Sequence, residues 1–186
     1  DGNGGVFEKI FVITVNNMND VPYSIVLSNS SVNENVSLSS LVGNLSALDG
    51  DVGDVHTYTL VAGAGSANNA SFTISGNQLL TATALNFEVK SSYSIRIQTN
   101  DGNGGTYQTA FSIAVNDVNE APLYHDAAVS IVENLSNASN VLNTSATDVD
   151  ALQVLTYSIV SGNTGGAFSI NSSSGQISVA NSFALN

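Results

Sequence analysis

The sequence has no cysteine and no tryptophan, only two prolines, and only three Lys and Arg residues together. Without cysteine there can be no disulfide, no zinc–thiolate centre and no thiol nucleophile, and the redox compartment is left undetermined. Against those few basic residues stand 15 Asp and Glu, for a net charge of −12. Nucleic acid and anionic membranes are bound through basic patches, so neither fits as a partner, and cations do. No apolar run reaches the roughly 18 residues a helix needs to cross a bilayer, so membrane insertion by this stretch is not expected. The chain starts at Asp1 rather than Met, and any leader or anchor is expected to lie outside it.

What is present reads as folded strands. Charged residues make up 10% of the 186, too few for a disordered acidic tail, and 42% are hydrophobic. Val, Ile, Thr and Tyr are frequent, which favours β-structure. Sparse Lys beside abundant Asn, Ser, Thr and Gly fits an extracellular or cell-surface protein.

The sequence repeats itself. Asp1-Gly2-Asn3-Gly4-Gly5 recurs as Asp101-Gly102-Asn103-Gly104-Gly105, and Asn19-Asp20-Val21-Pro22 is matched by Asn119-Glu120-Ala121-Pro122. Glu34-Asn35 then pairs with Glu133-Asn134, Asp49-x-Asp51 with Asp148-x-Asp150, and Tyr58 with Tyr157. The final Ala184-Leu185-Asn186 mirrors Ala84-Leu85-Asn86. A period of about 100 residues is a domain-sized unit with its own core rather than a solenoid turn. The expected organisation is the last strand and linker of one repeat over 1–20, a complete repeat over 21–120, and the truncated front of a third over 121–186.

Within a repeat the pattern is all-β. Tyr93, Ile95 and Ile97 alternate with polar residues, as do Tyr107, Thr109, Phe111, Ile113 and Val115. The Gly-rich segment 101–105 between these runs predicts a hairpin connection. Further strands are expected over 23–28, 42–47, 56–62, 70–74 and 78–82. About seven short strands per repeat, without a helical period, predict tandem Greek-key seven-stranded β-sandwiches, one complete and two partial.

The acids are not scattered. Asp1, Asp20, Glu34, Asp49, Asp51, Glu88, Asp101, Asp117, Glu120, Glu133, Asp148 and Asp150 fall at repeat-equivalent or motif positions, leaving over Glu8, Asp54 and Asp126. Asp and Asn commonly cap turns, but that does not account for so many acids in register. Clustered carboxylates and Asn oxygens suit calcium, which takes about six to eight oxygen ligands in loose geometry. Magnesium demands a tighter octahedron, and zinc would want His or Cys. The run from Asp49 to Asp54 begins like an EF-hand loop but has Leu60 where the bidentate Glu belongs, so that motif fails.

These motifs together resemble the cadherin repeat, in its divergent bacterial form. Val32-Asn33-Glu34-Asn35 and Ile131-Val132-Glu133-Asn134 resemble the family's x-E-N, and Leu85-Asn86-Phe87-Glu88 resembles L-D-R-E with Asn86 for Asp. Asp117-Val118-Asn119-Glu120-Ala121-Pro122 is similar to the D-x-N-D-N linker, one residue shorter and with Glu120 for Asp. Asp49/Asp51 and Asp148/Asp150 match D-x-D, and Asp101 matches the later single Asp. The resemblance implies Ca2+ sites split across repeat junctions. One would use Glu34 and Glu88, then Asp117, Asn119 and Glu120 of the linker, then Asp148 and Asp150. The other would use Asn17, Asn19 and Asp20 with Asp49, Asp51 and Asp101. It is expected to be the weaker, since Asn17 replaces the linker Asp and the upstream Glu ligands fall outside the sequence.

Calcium would neutralise the crowded junction carboxylates and turn a flexing string of sandwiches into a rod. The function this implies is calcium-dependent adhesion at the cell surface, toward another copy of the chain or a cell-surface ligand. The alternatives are a passive calcium-stiffened stalk or a carbohydrate-binding module, against which the lack of tryptophan argues. No enzymatic activity is expected, because His56 and His125 are not repeat-equivalent and have no nucleophilic partner.

Overall fold

The computed structural model describes residues 2–125 and 127–186. Asp1, the counterpart of Asp101, and the left-over acid Asp126 lie outside the described residues. The chain forms two compact units, one running to Asn116 and the other from Asp117.

The first unit is built from eight strands: β1 (Ser24–Leu27), β2 (Ser31–Asn33), β3 (Leu41–Leu48), β4 (Thr57–Leu60), β5 (Phe72–Ser75), β6 (Gln78–Thr81), β7 (Ser92–Asn100) and β8 (Thr106–Asn116). They make two four-stranded sheets, ordered β1-β3-β6-β5 and β2-β8-β7-β4. Because alternate residues of a strand share a face, each sheet contributes one apolar surface. Ile25, Val42, Leu45, Phe72 and Leu79 come from the first sheet, and Val32, Ile95, Ile97, Ile113 and Val115 from the second. Leu85, from the loop after β6, joins them in one buried cluster.

Eight strands rather than seven arise because the first strand is split. β1 pairs antiparallel with β3, while β2 pairs parallel with β8 in the opposite sheet. The crossing is held by Asn29, whose Nδ2 donates to the carbonyls of Ser31 (2.6 Å) and Val42 (2.8 Å). The crossing passes so close to β3 that a Cβ on Gly43 would sit 2.6 Å from the Asn29 carbonyl oxygen. Only glycine lets the chain change sheets there.

The second unit has five strands: β9 (Leu123–Tyr124), β10 (Asn140–Asn143), β11 (Ala146–Thr147), β12 (Phe168–Ile170) and β13 (Gln176–Val179). They form a two-stranded sheet, β9-β11, and a three-stranded sheet, β10-β13-β12. Residues 156–159 repeat the pattern of β4, yet they form no ladder. In the first unit β4 pairs only with β7, and the second unit has no counterpart of β7 among its described residues. Residues 6–16 carry the same alternation as β8 but likewise pair with no strand, and Phe11, Ile13 and Val15 are exposed.

One device is shared by both units. The Tyr157 hydroxyl accepts the Ala146 amide (3.2 Å), and the Tyr58 hydroxyl is hydrogen-bonded by the Ala47 backbone in the equivalent place. Burial raises the Tyr58 phenol above its ordinary pKa.

Candidate metal centre

The β7–β8 connection turns at the Gly-rich segment and folds one carboxylate inward. Asp101 is 2% exposed. Its Oδ1 accepts the backbone N–H groups of Asn103 (2.8 Å) and Gly105 (2.9 Å), and its Oδ2 accepts Asn19 Nδ2 (3.0 Å). The Asn19 amide, followed by the turn N–H groups, holds the Asp101 carboxyl below the usual carboxylate range. Gly105 is required here, since a Cβ would lie 2.1 Å from Asp101 Oδ2 and 3.0 Å from the Cα of Val21.

The loop between β3 and β4 supplies the facing acids. Asp49 Oδ1 accepts the Asp51 N–H (3.1 Å), an Asx turn of the kind Asp favours, and Asp49 Oδ2 lies 3.1 Å from His56 Nε2. Asp51 in turn holds the incoming segment, for its Oδ1 accepts Asn17 Nδ2 and its Oδ2 accepts the Asp20 N–H (2.6 Å). Asp54 Oδ1 accepts Asn103 Nδ2 (3.1 Å), while Asp54 Oδ2 is shielded from solvent and has no hydrogen-bond partner. One carboxylate oxygen each from Asp49, Asp54 and Asp101 lie within 4.8 Å of one another. Two oxygens bound to a common calcium at about 2.3–2.6 Å stand at most about 5 Å apart, so this spacing is compatible with a shared ion.

No Lys or Arg relieves the crowding. Lys90 Nζ donates to Asn68 Oδ1 and Arg96 to Gln108 and the Ala64 carbonyl, while Lys9 lies over the Phe11 ring. The one ion-pair contact among the described residues is His56 with Asp49.

Two further constellations lie one in each unit. In the first, β2 ends beside Glu34, which is 2% exposed and whose Oε2 accepts the Phe87 N–H (2.8 Å). Asn86 Oδ1 accepts the Val89 N–H (2.7 Å), closing the turn that carries Glu88, and a Glu88 oxygen comes within 4.8 Å of one on Glu34. In the second unit, Asp148 Oδ1 accepts the Asp150 N–H (3.0 Å) and Asp150 Oδ2 accepts the Glu120 N–H (2.8 Å). Asn119 Oδ1 accepts Gln153 Nε2 (2.6 Å), and Asp117 and Asp150 offer oxygens within 4.8 Å. Asp148 Oδ2 is shielded and without a partner.

Within the first unit, then, Asn17, Asn19, Asp20, Asp49, Asp51 and Asp101 converge, and Glu34 meets Glu88. Within the second, Asp117, Asn119, Glu120, Asp148 and Asp150 lie together. Three residues beside these acids are not marked by the sequence motifs: Asp54 has no acidic repeat counterpart, Asn103 belongs to the Gly-rich turn, and His56 is not repeat-equivalent. The one hint was that Asp54 follows Asp49 and Asp51 in a single Gly-rich loop.

Two four-stranded sheets around one core, with hydrogen-bonded acids at one end, define the class of the first unit as an all-β sandwich. The family model for the cadherin domain matches residues 127–184. The chain is 33% identical over 155 residues to mouse Cadherin EGF LAG seven-pass G-type receptor 2, covering 78% of this chain and 5% of that protein. It is 29% identical over 155 residues to human Protocadherin Fat 4, covering 81% of this chain and 3% of that protein. Among solved structures, human Protocadherin-24 EC1-2 superposes with a TM-score of 0.68 at 24% identity, covering 89% of this chain and 82% of that one. Mouse Cadherin-23 EC22-24 gives 0.61 at 22%, covering 82% and 50%. These structural likenesses concern the fold. The chain belongs to the cadherin-repeat family, and it spans about a twentieth or less of the length of the curated relatives it matches. No helix among the described residues is long and apolar enough to cross a membrane.

Proposed function

We propose that this stretch binds Ca2+ at the junctions between its repeats and serves a cell-surface protein in calcium-dependent adhesion, toward another copy of itself or a cell-surface ligand. The observation that carries the reading is the convergence of Asp49, Asp54 and Asp101 oxygens within 4.8 Å, with no Lys or Arg to balance them. Carboxylate and amide oxygens alone make the donor set, which is the chemistry of calcium rather than zinc. The shielded, unpartnered oxygens of Asp54 and Asp148 fit acceptors that await a cation.

The repeats are assigned to 1–20, 21–120 and 121–186. One junction draws on Asn17, Asn19, Asp20, Asp49, Asp51 and Asp101. The next draws on Glu34, Glu88, Asp117, Asn119, Glu120, Asp148 and Asp150. The hydrogen bonds from Asn17 and Asp20 to Asp51, and from Glu120 to Asp150, support linker and loop residues acting together. Their Asn side chains can turn either amide atom inward. Calcium, when bound, supplies the positive charge that removes carboxylate repulsion. Basic patches for nucleic acid and a segment for membrane insertion play no part in this function, nor does catalysis.

The test is a calcium titration followed by small-angle scattering and thermal melting. The expected result is a rise in melting temperature and a narrower distribution of dimensions at millimolar calcium. Identical behaviour in chelator and calcium would sink the junction reading. Calcium-dependent aggregation of beads coated with the protein supports adhesion, and stiffening without aggregation leaves a stalk.

A further inference from the structure

We propose that Asp54 is a metal-ligating carboxylate at the first junction, replacing the linker charge absent at Asn17. The inference rests on the calcium reading above and adds a ligand that the repeat pattern does not contain.

Three observations carry it. Asp54 shares the 4.8 Å set with Asp49 and Asp101, both of which are held by hydrogen bonds within the fold. Its two oxygens are unequal: Oδ1 is fixed by Asn103 Nδ2 at 3.1 Å, while Oδ2 is shielded and unpartnered. A carboxylate tied by one oxygen, with the other buried and idle, is a costly arrangement unless a cation meets it.

The third observation is a reciprocal exchange between the repeats. The position equivalent to Asp54 is Gln153, and that equivalent to Asn17 is Asp117. Where the linker carries an acid the loop carries an amide, and the reverse. In the first unit the linker amide of Asn17 donates to the loop carboxylate of Asp51; in the second, the loop amide of Gln153 donates to Asn119 of the linker. Counting linker and loop together, Asp20, Asp49, Asp51 and Asp54 stand against Asp117, Glu120, Asp148 and Asp150, four carboxylates each. Moving one acid from linker to loop preserves the charge offered to the ion. It also shifts the hold on the ion toward the sandwich body.

The experiment uses the 186-residue chain as wild type, D54N, the exchange variant N17D/D54N, and D49N. Calcium binding is followed by NMR at the amides of 101–105, with melting temperatures in chelator and in calcium. D54N keeps the acceptor for Asn103, so the turn survives. It is expected to weaken binding at these amides about tenfold, since calcium sites are tuned by ligand charge count. It should raise the melting temperature in chelator, by relieving repulsion, and lower it in calcium. N17D/D54N should recover most of the affinity. Wild-type affinity in D54N, or an equal loss of stability in both conditions, would overturn the proposal and leave Asp54 a loop-to-hairpin tie. If D49N also binds as wild type, the calcium reading itself fails and Asp54 falls with it.

Discussion

Asp49→Asn is the sharpest probe of the first junction, because it removes charge while changing little else. Its side chain is 3% exposed and makes two polar contacts, the Asp51 N–H at 3.1 Å and His56 Nε2 at 3.1 Å. An Asn amide keeps an acceptor for the first and offers a donor to the second, so the Asx turn should persist. In chelator the variant is expected to be more stable than wild type. Oxygens of Asp49 and Asp54 lie within 4.8 Å, which corresponds to about 1 kcal/mol of repulsion in bulk water and about 3 kcal/mol at the effective dielectric of a protein surface. In calcium the order should reverse. For a dissociation constant of about 0.1 mM, roughly 10 mM calcium stabilises the wild-type fold by about 2.7 kcal/mol per site. For a domain of this size that shifts the melting temperature by roughly 10–20 °C. D49N should lose most of that gap. The assay is thermal and urea unfolding read from tyrosine fluorescence, there being six Tyr and no Trp, in chelator and in calcium. A wild-type gap between the two conditions in D49N would refute the assignment of Asp49 as a ligand.

Other outcomes follow from the same geometry. Gly105→Ala places a Cβ 2.1 Å from Asp101 Oδ2, so Asp101 must move and the calcium response of residues 101–105 should vanish; an unaltered titration would show that the turn yields elsewhere. The Asp101 carboxyl is held below its ordinary pKa, first by Asn19. Its contribution to stability is therefore present above the unfolded carboxylate pKa and is lost as pH falls through the lowered native value. Asn19→Ala should move that acid-side loss to higher pH, seen in calcium-free unfolding as a function of pH. Hydrogen exchange should find β7 and β8, paired along nine residues, far better protected than β12 and β13, paired along three; equal protection would mean the second unit closes its core in some other way.

The proposed calcium control rests on where the acids sit rather than on how many there are. The linker residues Asn17, Asn19 and Asp20 reach the loop and hairpin acids through hydrogen bonds that cross 31 to 82 residues of chain. In a metal-dependent junction the same atoms that position the linker are those the ion would use. On the proposed reading, stiffening and metal binding would be one event.

Much of this protein is written in its local pattern. The alternation in 92–100 and 106–116 and the Gly-rich 101–105 determine the longest hairpin, because strand period and turn chemistry are properties of neighbouring residues. The strand-period alternation, with the family motifs, determines the all-β sandwich class, and the spacing of the acids and of Tyr58 and Tyr157 is what suggests a domain-sized repeat. The split of the first strand was not legible, since the run from 23 reads as one strand; the change of sheet is set by Asn29 meeting the Val42 carbonyl and by the missing Cβ of Gly43. Nor was the silence of 156–159, which has the residues of a strand but no second strand to bond with, and a ladder is a property of two segments. Asp54 and His56 were invisible for a related reason. Their roles come from what lies across the fold from them, Asn103 and Asp101 for the one and Asp49 for the other, and only the folded chain decides which distant acids share a few ångströms of space.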